Sequence, residues 1–234
     1  MLLSAIRRSN VHAKIYYLIP YMPYARQNNP WINESAWLKE MGHILSSLWL
    51  ASIFVVHPHT DLQPYFTIPI VTIDCSPIID NVISQYHKPD VLIVAPDQWA
   101  TSFIKTFAHT YNYTNYISCH KYRIFDNQVD NISLDIKHQS AISNKICWII
   151  DDMYDTGGTI YKVANTLHNH GARSIYARCT HWLCSNNWDI NLDNSFVSTL
   201  YMTNSVNHCS HNKITTITID TYIKNIATQY ILSF

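Results

Sequence analysis

Glycine is the residue this chain nearly does without, with four in 234 positions. That count excludes glycine-rich linkers and low-complexity tracts, and it makes any adjoining pair of glycines a feature that needs a reason. Charge is also sparse and balanced. Lys plus Arg and Asp plus Glu number 16 each, together 14% of the chain, so no net field draws it to nucleic acid or to an anionic membrane, and any anion site has to be local. Long hydrophobic runs are missing as well. The most apolar stretch, Ile44 to Val56, is interrupted by Ser46, Ser47 and Ser52, whereas a spanning helix needs roughly 20 apolar residues. In the opening MLLSAIRRSN the two arginines follow the apolar residues and no cleavage pattern comes after them, so no secretory signal is expected and the cytosol is the expected compartment. The six cysteines (Cys75, Cys119, Cys147, Cys179, Cys184 and Cys209) show no C-x-x-C spacing. They read as reduced thiols, several of them in core strands, rather than as disulfides or zinc ligands.

What is present is a strand-and-helix rhythm. The 47% hydrophobic content is enough to fill a real core. Lys14 to Pro20 reads as a short strand, Asn33 to Trp49 as a helix with Asn33 as N-cap, and Ala51 to Val56 as a buried strand. A second series follows. Val91 to Ala95 is a strand, Thr101 to Tyr111 a helix, Tyr116 to Cys119 a strand, and the polar Lys121 to Ser140 a loop, mobile in part. Ile146 to Ile150 is then a buried strand, Thr159 to His170 a helix ended by Gly171, and Ser174 to Cys179 another strand. Such alternation predicts an α/β fold with doubly wound, mostly parallel sheets.

The adjoining glycines sit in IIDDMYDTGGTI, Ile149 to Ile160. In sheets of this kind ligands bind beyond the carboxyl ends of the strands, and this segment is where a buried strand turns into a helix. Gly157 and Gly158 let the backbone fold tightly with its N–H groups inward, the helix adds the positive end of its dipole, and Thr156 and Thr159 add hydroxyl donors. A phosphate fits there. The aspartates repel a phosphate, so Asp151 and Asp152 call for sugar hydroxyls or Mg²⁺ as partners, and Asp155 is placed to accept a hydroxyl proton or to orient the loop.

This segment resembles the ribose-5-phosphate loop shared by type I phosphoribosyltransferases and ribose-phosphate pyrophosphokinases (PRPP synthetases). IPYMPYARQ, VVHPHTDLQPYFTIP, VAPD, HKYR, GARSIYARCTH and TNSV resemble segments of the second family, in its order. The resemblance implies the type I phosphoribosyltransferase fold, with 1–76 a partial first domain and 77–234 a complete second one. It implies diphosphoryl transfer from ATP to ribose 5-phosphate, Mg²⁺ as cofactor, and a homo-oligomer. Asp151, Asp152, Asp155, Thr156, Gly157, Gly158 and Thr159 would then hold the sugar phosphate, Arg26 and Gln27 the ATP, and His59 and Asp97 the metal. Lys121 and Arg123 would be the catalytic basic pair on a mobile loop. The match has departures. Nothing before Arg7 and Arg8 resembles the family's first ATP loop, Asn28, Asn29, Pro30 and Trp31 replace charged residues, Gln98, Trp99 and Ala100 replace a glycine-rich turn, and His57 replaces an aspartate. Three readings therefore stand: an active, shortened synthetase, a non-catalytic subunit that binds ribose phosphate, and a phosphoribosyltransferase.

Overall fold

The structure, a computed structural model, describes residues 2–27, 37–123, 130–134, 140–207 and 210–233. Two compact units divide the chain: Met1–Asp74 together with Asp220–Phe234, and Cys75–Ile219.

The first unit is built on three parallel strands, β1 (Tyr16–Ile19), β2 (Ser52–Val56) and β3 (Ile70–Ile73), in the order β1-β2-β3. The central strand is apolar at consecutive positions because it is covered on both faces. Ile53 and Val55 pack with Leu38 and Leu45 of helix α2 (Trp37–Ser46), while Phe54 meets Tyr230 of the C-terminal helix edge-on at 5.3 Å. That helix, α7 (Asp220–Leu232), is also tied to the end of β3 by the Tyr222 hydroxyl donating to the Asp74 carbonyl at 2.7 Å. A short helix, α1 (Leu2–Ser9), precedes β1. The expected cap at Asn33 lies outside the described residues.

Gly42 is where α2 approaches its neighbour most closely. A Cβ there would fall on the backbone carbonyl of Tyr65, a group that cannot swing aside. Gly42→Ala is therefore expected to destabilise the protein by about 2 kcal/mol despite alanine's better helix propensity, and a thermal melt showing no loss would refute the contact.

The second unit carries a seven-stranded sheet in the order β10-β9-β8-β7-β4-β5-β6. Its strands are β4 (Val91–Ala95), β5 (Tyr116–Arg123), β6 (Asp130–Leu134), β7 (Ile146–Tyr154), β8 (Ser174–Trp182), β9 (Thr199–Thr203) and β10 (Ile214–Ile217). All neighbours run parallel except β5 and β6. Helices α3 (Ser76–Ile83) and α4 (Gln98–Thr110) cover one face, and α5 (Gly158–Asn169) and α6 (Trp188–Asp193) the other. β4 alternates between them: Val91, Ile93 and Ala95 pack toward α3 and α4, Leu92 and Val94 toward α5.

The expected loop after Cys119 is in part a strand pair. β5 continues through Lys121 and Arg123, which pair in antiparallel register with Ile132 and Asp130 of β6. A hairpin made of mostly polar residues carries no apolar alternation, so hydrophobic pattern cannot reveal it. Among the described residues no helix is long and apolar enough to cross a membrane.

Candidate functional site

The sheet of the second unit winds in opposite directions from one point. β4 leads outward through α4 to β5, whereas β7, its neighbour on the other side, leads through α5 to β8. In such sheets the crevice for a ligand opens beyond the carboxyl ends of the two strands flanking that reversal. Asp97 follows β4, and Asp151 to Thr159 follow from the end of β7 into α5, so the sequence-predicted sugar-phosphate residues and Asp97 share this edge.

β7 is longer than its apolar core. It keeps its pairing with β8 through Asp151, Met153 and Tyr154, which meet Cys179, His181 and Trp182. The two acids therefore stand on a strand end and are rigidly placed. Burial pushes the Asp151 carboxyl above its ordinary value, and the neighbouring carboxylates of Asp152 and then Asp97 push it further, against an Asp152 N–H donated to its Oδ1 at 2.9 Å. A cluster of carboxylates that repel one another in a half-buried place is poised for hydroxyl donors or a cation.

The turn after the acids is held from below. Tyr154, buried, donates its hydroxyl to the Trp188 carbonyl at 3.0 Å and accepts the Leu183 N–H on its own carbonyl at 2.9 Å. Gly157 lies against that tyrosine ring at φ +76°, in the left-handed region, so close that a Cβ would overlap the phenol oxygen. It then starts α5 by accepting the Tyr161 N–H at 2.9 Å. No side chain at the N-cap position covers the start of α5, whose first-turn N–H groups have no partner within the helix by geometry, but the Thr156 hydroxyl accepts the Gly158 N–H at 3.4 Å. The Ser185 hydroxyl donates to the Asp155 carboxylate, and Asn191 Nδ2 donates to the Thr156 carbonyl at 2.8 Å. Ser185 and Asn191 were not expected from sequence. They lie one strand later in the chain, and only the fold brings them to the turn.

The start of α4 differs from that of α5. Asp97 caps it, its Oδ1 accepting the Ala100 N–H at 3.0 Å, so one oxygen of this candidate metal ligand is already engaged by the helix. Trp99, in the first turn, is 86% exposed.

Beside the acids the ends of β8 and β9 carry buried polar groups. Arg178 is fully buried and donates from Nη1 to the Thr180 hydroxyl at 2.6 Å, the Thr203 hydroxyl donates to the Thr180 carbonyl at 2.6 Å, and His181 Nδ1 lies 2.8 Å from the Ser205 hydroxyl. Cys75, Cys119, Cys147 and Cys179 are buried and Cys184 half-buried, none of the five in a disulfide; Cys209 lies outside the described residues. Burial raises the Cys119 and Cys147 thiols to about 12, with the Asp97 carboxylate adding to the effect at Cys119, so both are unreactive near neutrality.

The remaining predicted residues belong elsewhere. Lys121 and Arg123 stand on β5 of the second unit, with only their backbone described. Arg26, Gln27 and His59 belong to the first unit, all exposed. Arg26 and Gln27 follow β1, and His59 follows β2, so all three lie past carboxyl ends of the parallel sheet.

Comparison with known proteins gives these features a context. Residues 121–231 match a family model described as the phosphoribosyl synthetase-associated domain. Over 206 residues the chain is 26% identical to a ribose-phosphate pyrophosphokinase of Marinomonas sp. (strain MWYL1), covering 87% of this chain and 64% of the relative. Over 212 residues it is 29% identical to a ribose-phosphate pyrophosphokinase of Clostridium perfringens, covering 88% of this chain and 64% of the relative. The chain thus spans just under two thirds of the length of these relatives. Its fold matches the crystal structure of phosphoribosylpyrophosphate synthetase from Mycobacterium smegmatis with a TM-score of 0.85 at 21% identity, over 100% of this chain and 76% of that one.

Proposed function

We propose, from the premise that this chain is a relative of the ribose-phosphate pyrophosphokinases, that it transfers the β,γ-diphosphoryl group of ATP to ribose 5-phosphate. The observation that carries the reading is the pairing, at one sheet edge, of the glycine turn and helix start at Gly157 and Gly158, where Thr156 offers its hydroxyl, with the rigidly placed carboxylates of Asp151 and Asp152. The first suits a 5-phosphate and the second the ribose hydroxyls. In the reaction the C1 hydroxyl oxygen forms a bond to the β-phosphorus, the bond from that phosphorus to the α-phosphate oxygen breaks, AMP leaves, and the hydroxyl proton is released. Asp155, Thr156 and Thr159 complete the sugar-phosphate cradle. Arg26 and Gln27 take the nucleotide, and Lys121 and Arg123 offset charge that develops on the transferring oxygens.

Mg²⁺ fits the residues present in one way. Among the described residues no group of three or more His, Cys, Asp or Glu side chains is arranged to hold a metal ion. Mg²⁺, however, is commonly held by one or two carboxylates with waters and substrate phosphates, and mutually repelling oxygens such as those of Asp151, Asp152 and Asp97 suit that role. The ion would neutralise phosphate charge, and His59 is proposed as a metal and phosphate contact of the first unit. The same reading makes the protein a cytoplasmic homo-oligomer in nucleotide biosynthesis, with small molecules rather than nucleic acid or membrane as partners; the even balance of 16 basic and 16 acidic residues supports the last point.

The test is isothermal titration with Mg²⁺ present, adding ribose 5-phosphate and ATP separately and then assaying AMP release. Binding of both, weakened at least about tenfold by Asp152→Ala for the sugar and by Arg26→Ala for ATP, is the expected result. Sugar-phosphate binding without ATP binding would leave a non-catalytic subunit, and absence of both would overturn the reading.

A further inference from the structure

Two aromatic side chains of the first unit are paired in water. Tyr24 and Trp37 stack with ring centroids 5.8 Å apart and 28° between their planes, yet they remain 43% and 50% exposed. Each is pinned by a buried neighbour. Met22 and Ala25, 1% and 2% exposed, anchor the turn that carries Tyr24, and fully buried Leu38 anchors the start of α2 that carries Trp37. Tyr24 takes φ +62°, and its carbonyl accepts the Gln27 N–H at 2.8 Å, which closes the turn and turns Tyr24, Arg26 and Gln27 outward.

Large aromatic rings left half in water forgo burial that the core offers. Here they form a braced pair, Tyr24 on the turn that follows the carboxyl end of β1, the end of a parallel sheet where ligands bind, and Trp37 on the first residue of α2. The same turn presents a guanidinium, suited to phosphate oxygens, and a carboxamide with both a donor and an acceptor, suited to the edge of a base. Groups suited to a planar ring and to an anion thus belong to the same stretch of the first unit.

We infer that Tyr24 and Trp37 form the platform on which the base of a nucleotide stacks while Arg26 meets its phosphates. The inference rests on the reading of ATP as substrate and adds the residues that hold its ring. Stacking on the indole supplies a binding contribution that inorganic polyphosphate cannot obtain, and that contribution separates it from simple charge attraction.

The experiment titrates the full chain, with Mg²⁺, with ATP, with inorganic tripolyphosphate and with ribose 5-phosphate, in wild type, Trp37→Leu and Trp37→Phe. Leucine keeps apolar cover over α2 and removes the aromatic face. Trp37→Leu is expected to bind ATP about tenfold or more weakly, with tripolyphosphate and ribose 5-phosphate unchanged and with most of the ATP affinity restored in Trp37→Phe. ATP binding by Trp37→Leu at wild-type strength, or an equal loss for tripolyphosphate, overturns the platform alone. A wild type that binds ribose 5-phosphate but no ATP overturns the diphosphokinase reading and the platform with it.

Discussion

Asp151→Asn is expected to weaken ribose 5-phosphate binding by about a hundredfold while raising the melting temperature of the ligand-free protein. The two effects have one origin. The Asp151 carboxyl is raised by burial and by the carboxylates of Asp152 and Asp97, so its charged form is disfavoured in the fold. Removing the charge relieves the repulsion and removes the acceptor that a sugar hydroxyl needs. The sign with pH follows. A carboxyl raised by folding penalises the native state above its ordinary value of 3.8 and not below it, so the gain in melting temperature, measured in EDTA, is largest near neutrality and fades as pH falls toward that value. A residue kept only for structure would show the opposite, with Asp151→Asn melting lower at neutral pH. That result would remove the carboxylates from the proposed site.

Gly157→Val is the second large effect. A β-branched residue at φ +76° costs roughly 1–2 kcal/mol in backbone strain, and its Cβ would overlap the Tyr154 hydroxyl, which is fixed by its bond to the Trp188 carbonyl. The turn has to move, and the first-turn N–H groups of α5 move with it. Affinity for ribose 5-phosphate is expected to fall about a hundredfold, with the melting temperature lower by about 5 °C. Gly157→Ala should be milder, and Tyr154→Phe, which deletes the overlapping oxygen, should make the alanine less costly than in the wild-type background. Unaltered sugar-phosphate affinity in Gly157→Val would mean that the phosphate lies elsewhere.

Much of the second unit was legible because its strands are buried on both faces. VLIVA is apolar at every position and became β4 with the bounds Val91–Ala95, since alternate residues serve separate layers. The IIDDMYDTGGTI segment was legible as a strand, a turn and a helix because glycine scarcity made its pair conspicuous. Edge strands were not. β10, Ile-Thr-Thr-Ile, has its two threonines exposed, and β6, with the continuation of β5 past the expected Tyr116 to Cys119, rests on backbone pairing that no side-chain pattern announces. At the site, an aspartate after a strand suits a ligand and a helix cap equally, so the cap formed by Asp97 carries no mark of its own in the sequence. Ser185 and Asn191 were hidden because their partners Asp155 and Thr156 are far away in sequence.

The last helix sets an order of events during synthesis. The first unit needs Tyr222 against Asp74 and Tyr230 against Phe54, yet those tyrosines emerge from the ribosome only after the whole of Cys75–Ile219 has been made. The second unit is continuous in sequence and can fold as it emerges, whereas the nascent first unit waits with Phe54 uncovered. The part of the chain translated first is therefore completed last, and in that interval it is the segment most in need of a chaperone.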